Sequence, residues 1–186
     1  MIKRIFDVIF TLCIILILSP IYFLIIFILY ITDTSVFFYS KRIGQNGEIY
    51  TMPKFKTMKD NSPDLATDVI KNPAIYYTKF GKFLRRFSLD ELPQFFTILT
   101  GKMSIVGPRP ALFNQYSLIE KRKRLGIYSL KPGITGLAQI SGRDNLTEDQ
   151  KISYDKAYLE NNNILTDIKI VIKTPLKVIK GADVRT

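Results

Sequence analysis

Histidine and tryptophan are absent from this 186-residue chain, and cysteine occurs once, at Cys13. The missing imidazole excludes a Ser-His-Asp triad, a Cys-His pair, a histidine-ligated metal and histidine acid–base chemistry. A lone cysteine excludes an internal disulfide and a multi-cysteine zinc site. Acidic residues are scarce as well: 16 Asp+Glu stand against 27 Lys+Arg, for a formal charge of +11. Such a surplus favours anionic partners. The 47% apolar content is too high for a disordered basic tail, and the length suits one compact domain with little left over. An enzyme built from these residues works with carboxylates, hydroxyls, lysine, arginine and a hard cation.

From Val8 to Ile31 run 24 uncharged residues, interrupted only by Thr11, Ser19 and the tyrosines. At about 1.5 Å per helical residue the run reaches roughly 36 Å, against the roughly 30 Å hydrocarbon core of a bilayer. We read it as a membrane segment. Lys3 and Arg4 resemble the basic start of a signal peptide, but the run is too long for one and no small-x-small cleavage site follows. Ser19-Pro20 stands at its middle, where the missing N–H and ring clash of proline predict a kink with arms of about eleven residues on either side. Neither arm alone crosses a bilayer. Lys3, Arg4 and Asp7 give residues 1–31 a charge of +1, leaving +10 for residues 32–186. A spanning helix would strand one basic flank outside, whereas a bent hairpin keeps both cytoplasmic. Kinked spanning helices are common, so on these grounds both arrangements stay open.

Residues 32–186 read as one polar domain behind this anchor, without internal repeats or low-complexity tracts. Residues 36–40 and 48–52 suggest short strands joined by the turn Gly44-Gln45-Asn46-Gly47. A loop is expected over 60–73, and apolar spacing predicts helices over about 75–87, 90–100, 111–124, 148–160 and 164–180. The class is therefore α/β, mainly α. Phe80, Phe83, Leu84 and Phe87 fall at helical spacing among Lys and Arg, and Lys169, Lys173, Lys177 and Lys180 alternate with Ile, Leu and Val. Each pattern suits an interfacial helix against anionic headgroups and equally an amphipathic helix whose stripe faces the core.

The densest chemical cluster is Arg85-Arg86-Phe87-Ser88-Leu89-Asp90-Glu91-Leu92-Pro93-Gln94. Adjacent carboxylates beside arginines suggest a place where anions and a cation meet, because Mg²⁺ takes oxygen ligands and arginine grips phosphate bidentately. Ser88-x-x-Glu91 matches a capping box, while Pro93 favours Asp90 as the cap, with the proline in the free first turn. Either start puts Asp90 at a helix N-terminus, where the dipole favours an ionised carboxylate and a bound phosphate. The plain alternative is that both carboxylates only cap a helix. Two further loops carry arginines: Gly107-Pro108-Arg109-Pro110, where prolines stiffen the backbone around one cation, and Lys131 to Arg143, rich in glycine, hydroxyls and amides. Taken singly, such loops are most often turns.

Together, in this order, these motifs carry a resemblance. A basic start, an apolar segment interrupted at Ser19-Pro20, Lys54-Phe55-Lys56-Thr57-Met58, Ser88 to Gln94, Met103 to Pro110 and Lys131-Pro132-Gly133-Ile134-Thr135-Gly136 resemble the bacterial sugar transferases. More narrowly, they resemble the monotopic polyprenyl-phosphate phosphoglycosyl transferases in minimal catalytic form, over nearly the whole chain. The resemblance implies transfer of a sugar 1-phosphate from a UDP-sugar to undecaprenyl phosphate at the cytoplasmic face of the bacterial inner membrane, with Mg²⁺. It implies that Asp90 is the nucleophile, forming a phosphosugar-enzyme intermediate with release of UMP; Glu91 is the candidate for Mg²⁺ coordination or for positioning the nucleophile, with Asp90 as a second candidate to share the metal. It also implies a re-entrant hairpin with its break at Ser19-Pro20. This chain departs from the family pattern at Lys56, where arginine is usual; lysine keeps the charge but loses the fork.

Physical chemistry is consistent with that reaction. Displacement at phosphorus needs an in-line nucleophile and positive charge on the phosphoryl oxygens, and a carboxylate needs no base to activate it. Arg85 (or its neighbour Arg86), Arg109 and Arg143 are the candidates for gripping diphosphate or lipid phosphate, with Lys56, Thr135 and Gln139 as further polar contacts to substrate. A non-catalytic membrane-surface protein would tolerate neutralising both carboxylates, and a metal-dependent lipid phosphatase would ignore UDP-sugars and release inorganic phosphate. Nucleic acid is not an expected partner, because the basic residues alternate with apolar ones and no helix-turn-helix or RNA-recognition signature is present.

Overall fold

The computed structural model describes residues 2–32, 35–63 and 72–180. The apolar run and the basic residues before it form one helix, α1 (Ile2–Thr32). Pro20 has no N–H to give to the carbonyl of Leu16, four residues earlier. The Ser19 hydroxyl gives that hydrogen bond instead, at 2.8 Å, and the two expected arms form a continuous helix. By length and composition α1 is able to cross a membrane.

Polar contacts hold one end of α1 to the rest of the chain and apolar contacts hold the other. Asp7 accepts from the Ser104 hydroxyl and the Ile105 N–H, both at 3.0 Å. Lys3 reaches the Val106 carbonyl, the Tyr158 hydroxyl and Asp167, and Arg4 donates to the carbonyls of Ile98 and Leu99. The sequence reading treats Lys3 and Arg4 as flanking charges that set topology; in the fold both are ligands of the domain. Further along, Leu18, Tyr22, Ile25 and Leu29 pack against Phe55, Leu84 and Leu92.

Strands β1 (Phe37–Ile43) and β2 (Ile49–Phe55) form the expected hairpin, antiparallel and longer than predicted, with Phe37 opposite Phe55 and Ile43 opposite Ile49. Its turn is a short 3₁₀ segment over Gln45–Gly47, in which Asn46 and Gly47 have positive φ. Tyr50 and Met52 alternate inward from β2 and join Ile98, Met103, Ile105, Tyr158 and Ile170 in the main core.

Helix α2 (Lys79–Arg86) starts later than predicted because Tyr77 pairs with Met58 and Thr78 caps the helix, accepting from the Gly81 N–H at 2.9 Å. The stretch expected as a helix over 90–100 is a 3₁₀ turn over Leu89–Glu91 followed by α3 (Gln94–Leu99). Strand β3 (Ser104–Val106) follows. The expected start at 111 is also displaced, because the Ala111 carbonyl accepts from Ile43 N–H and Phe113 N–H donates to Lys41; α4 spans Tyr116–Arg124. Strand β4 (Gly133–Thr135) lies parallel to β3, a pairing not expected from sequence. The approach is close enough that a Cβ on Gly133 would lie 2.1 Å from the Gly107 nitrogen. After α5 (Leu137–Ser141) come α6 (Glu148–Glu160), opened by a Thr147–Gln150 capping box, and α7 (Ile164–Lys180), both where apolar spacing predicts them. Of the loop expected over 60–73, residues 64–71 lie outside the described residues.

The two helices with alternating charge resolve differently. On α2, Leu84 is buried and Phe80 packs in the core, while Phe83 faces outward. On α7, Ile170 is buried, but Leu165, Ile168, Ile172 and Leu176 form an exposed stripe. Ile5, Ile9, Leu12, Leu16, Phe23 and Phe27 of α1 are likewise exposed.

Candidate active site

Asp90 and Glu91 sit in the 3₁₀ turn between α2 and α3, 1% and 5% exposed. Neither expected helix start forms. The Ser88 hydroxyl accepts from Arg143 at 2.8 Å instead of capping, and Glu91 binds cations instead of reaching back. Ser88 (φ 55°) and Arg143 (φ 48°) are both left-handed non-glycine residues, and each such backbone costs on the order of 1 kcal/mol. The hydrogen bond between them joins two strained turns on either side of the carboxylates.

The neighbouring acids have different surroundings. Glu91 Oε1 lies 2.9 Å from Lys54 Nζ, 2.9 Å from Arg109 Nη2 and 3.7 Å from Arg143 Nη2. Burial alone would raise the Glu91 carboxyl, but Arg109, Lys54 and Arg143 outweigh it and hold the group well below the usual carboxylate range. Glu91 in turn raises the Arg109 guanidinium above its ordinary value against the effect of burial. Asp90 Oδ2 has only longer contacts, 3.4 Å to Lys54 and 3.4 Å to Arg85. Its other oxygen, Oδ1, is buried and has no hydrogen-bond partner among the described residues.

Of the predicted residues, the fold gathers Asp90, Glu91, Arg85, Arg109, Gln139 and Arg143. Arg85 faces inward and Arg86 is exposed, stacked against Phe87. Lys56 is buried and paired with Asp60 at 2.8 Å. The Thr135 hydroxyl is bonded to that of Thr174 at 2.8 Å. The lysine that reaches both carboxylates is Lys54, whose ammonium burial pulls below its ordinary value despite the acids. Its signal was phase: on β2 it continues the inward series Tyr50, Met52.

Two cavities open beside this cluster. One, of about 110 Å³, is lined by Arg42, Lys54, Arg85, Arg109, Arg122 and Arg143, with Asp144 its one lining carboxylate among the described residues. Burial, then Arg109, lowers the Arg42 guanidinium to about 10, and burial lowers Arg143. The other, of about 310 Å³, is mainly aliphatic and aromatic. Arg109, Gln139 and Arg143 line both.

Arg109 is held by its own backbone. The carbonyls of Pro108, Arg109, Pro110 and Ala111 accept, in turn, from Gly133 N–H at 2.9 Å, Arg122 Nη1 at 2.8 Å, Arg42 Nη1 at 3.2 Å and Ile43 N–H at 3.0 Å. Arg122 is fixed by Asp155, and both are nearly inaccessible at 3% and 2%. Neither Arg122 nor Asp155 stood out in the sequence, because their pairing is between helices α4 and α6.

The arrangement places a buried, partly unsatisfied carboxylate beside arginines that could hold an anion. Comparison with known proteins places the chain in a family. The bacterial sugar transferase family model matches residues 1–181. The exopolysaccharide production protein ExoY of Sinorhizobium fredii is 37% identical over 92% of this chain and 83% of its own length. The undecaprenyl-phosphate galactose phosphotransferase of Salmonella typhimurium is 34% identical over 96% of this chain and 40% of its own length. For the UDP-glucose:undecaprenyl-phosphate glucose-1-phosphate transferase of Klebsiella pneumoniae the values are 39%, 94% and 39%. The chain belongs to the bacterial sugar transferase family.

Proposed function

We propose that this protein transfers a sugar 1-phosphate from a UDP-sugar to undecaprenyl phosphate, as the first membrane step in building a polysaccharide or glycan. The observation that carries the reading is Asp90 Oδ1, a buried carboxylate oxygen without a partner among the described residues, beside a cavity of arginines. Asp90 Oδ1 attacks the sugar-bearing phosphorus, the bond to the uridine-bearing phosphate breaks, and UMP leaves with that bonding pair. An oxygen of the lipid phosphate then attacks the same phosphorus, the bond to Asp90 breaks, and the carboxylate is regenerated. Neither displacement needs a proton acceptor, which suits a chain without histidine. Arg85, Arg109 and Arg143 carry the charge on the phosphoryl oxygens, and Lys54 and Glu91 orient Asp90 and Arg109.

Among the described residues no group of three or more acidic, thiol or imidazole side chains could hold a metal. The Asp90 and Glu91 carboxylates together nevertheless fit Mg²⁺, which one or two carboxylates hold together with substrate phosphates and water. When bound there it would neutralise charge on the diphosphate.

A monotopic position on the cytoplasmic face is supported by how α1 is docked. The domain touches it from Lys3 to Leu29, so a charged domain would be drawn into hydrocarbon if α1 stood upright across the bilayer. Lying shallowly, α1 and the outer stripe of α7 would meet lipid together. Protein in detergent with Mg²⁺, undecaprenyl phosphate and a panel of UDP-sugars should release UMP with one sugar, and Asp90→Asn should abolish it. UMP release undiminished in the variant would remove Asp90 as nucleophile.

A further inference from the structure

We infer that the apolar cavity seats the first isoprene units of the acceptor lipid, leaving the cation-lined cavity to the nucleotide-sugar. The inference rests on the proposed transfer reaction and divides its site in two. Phe10, Ile14 and Leu18 of α1, Phe95 of α3, and Val171 and Val178 of α7 form the body of this cavity. Among the described residues its charged lining is Glu91, Arg109, Arg143 and Lys177. A ligand that fits has an apolar body and an anionic head, the head lying toward Arg109 and Arg143.

Three observations select a membrane-borne occupant. The helices that form the cavity also carry exposed Leu16, Ile17, Ile172 and Leu176, so the surface around it is one that lipid covers. The hydroxyls on its wall, Thr135 and Thr174, are bonded to each other and ask nothing of a ligand. At the junction with the polar cavity both amide atoms of Gln139 are buried and without a hydrogen-bond partner among the described residues. The Gln139 Nε2, next to Arg109 and Arg143, can donate to a phosphate oxygen arriving from either side. A headgroup placed there comes up to Asp90's neighbour Glu91, while its tail points between α1 and α7.

Full-length protein in nanodiscs, given undecaprenyl phosphate with a photoreactive group in its first isoprene, should be labelled within Phe10–Leu18 and Val171–Val178. Labelling confined to residues outside this cavity overturns the inference. Val171→Phe and Val178→Phe should each raise the apparent KM for undecaprenyl phosphate about tenfold, by filling the cavity and excluding part of the isoprene chain from it, with the KM for the UDP-sugar unchanged. Unchanged acceptor KM in both variants also overturns it, as does protection from labelling by ordinary phospholipid at equal concentration. The photolabel on the unaltered chain decides the matter if a variant fails to fold. Failure of the transfer reading itself looks different: the wild type then gives no UMP with any UDP-sugar.

Discussion

The two cavities share Arg109, Gln139 and Arg143 and differ in nearly everything else. The smaller is walled by guanidinium groups that carboxylates and backbone carbonyls hold in place; the larger is walled by side chains of α1, α3 and α7 that only pack. The first is suited to a fixed, highly charged ligand and the second to a flexible apolar one. The difference teaches that one site can draw from two solvents, because Arg109, Gln139 and Arg143 stand where a polar wall and an apolar wall meet.

Breaking the polar side should show first at Asp90. Asp90→Asn should lower kcat on the order of 10⁴-fold or more, measured as UMP release, since loss of a nucleophile is the largest single defect an enzyme shows. Arg109→Ala should cost about 10²–10³-fold, the effect of removing one preorganised positive group, and Arg109→Lys should recover only part because the fork is lost. Asp155→Asn leaves the buried Arg122 without its counter-charge, and a loss of about 3 kcal/mol is expected in urea unfolding. The smallest expected effect is a pH dependence. Because Glu91 is held below its ordinary value of 4.5, its contribution to stability is complete above that pH and is lost as pH falls through the lowered value. The unfolding midpoint of wild type should therefore exceed that of Glu91→Gln near neutrality and converge on it well below 4.5; a constant gap would contradict the assignment.

What could be read from sequence follows from how local each feature is. Helices α6 and α7 appear where they are expected, because α6 is opened by its own Thr147–Gln150 capping box and α7 is a long amphipathic element. The parallel pair β3 and β4 could not be read: three-residue strands far apart in sequence carry no period. At Ser88 local chemistry was legible but was overridden, since Arg143 and the cations on Glu91 took the groups a capping box would use. Lys54 was passed over in favour of Lys56 two residues on, and only the register of the hairpin and the position of Asp60 distinguish them. Asp90, Glu91 and the three arginines were legible as a set of residue types, while their convergence depends on contacts between loops and helices far apart in sequence.

The loop Pro108-Arg109-Pro110 has a consequence for timing. Its prolines have no N–H to satisfy, and each of its carbonyls already has a donor, two of them from arginines. The field at the site is therefore set before any substrate arrives. Little reorganisation remains to be done when a phosphate enters, and under the proposed transfer the same poised dipoles would serve both displacements without being reset between them.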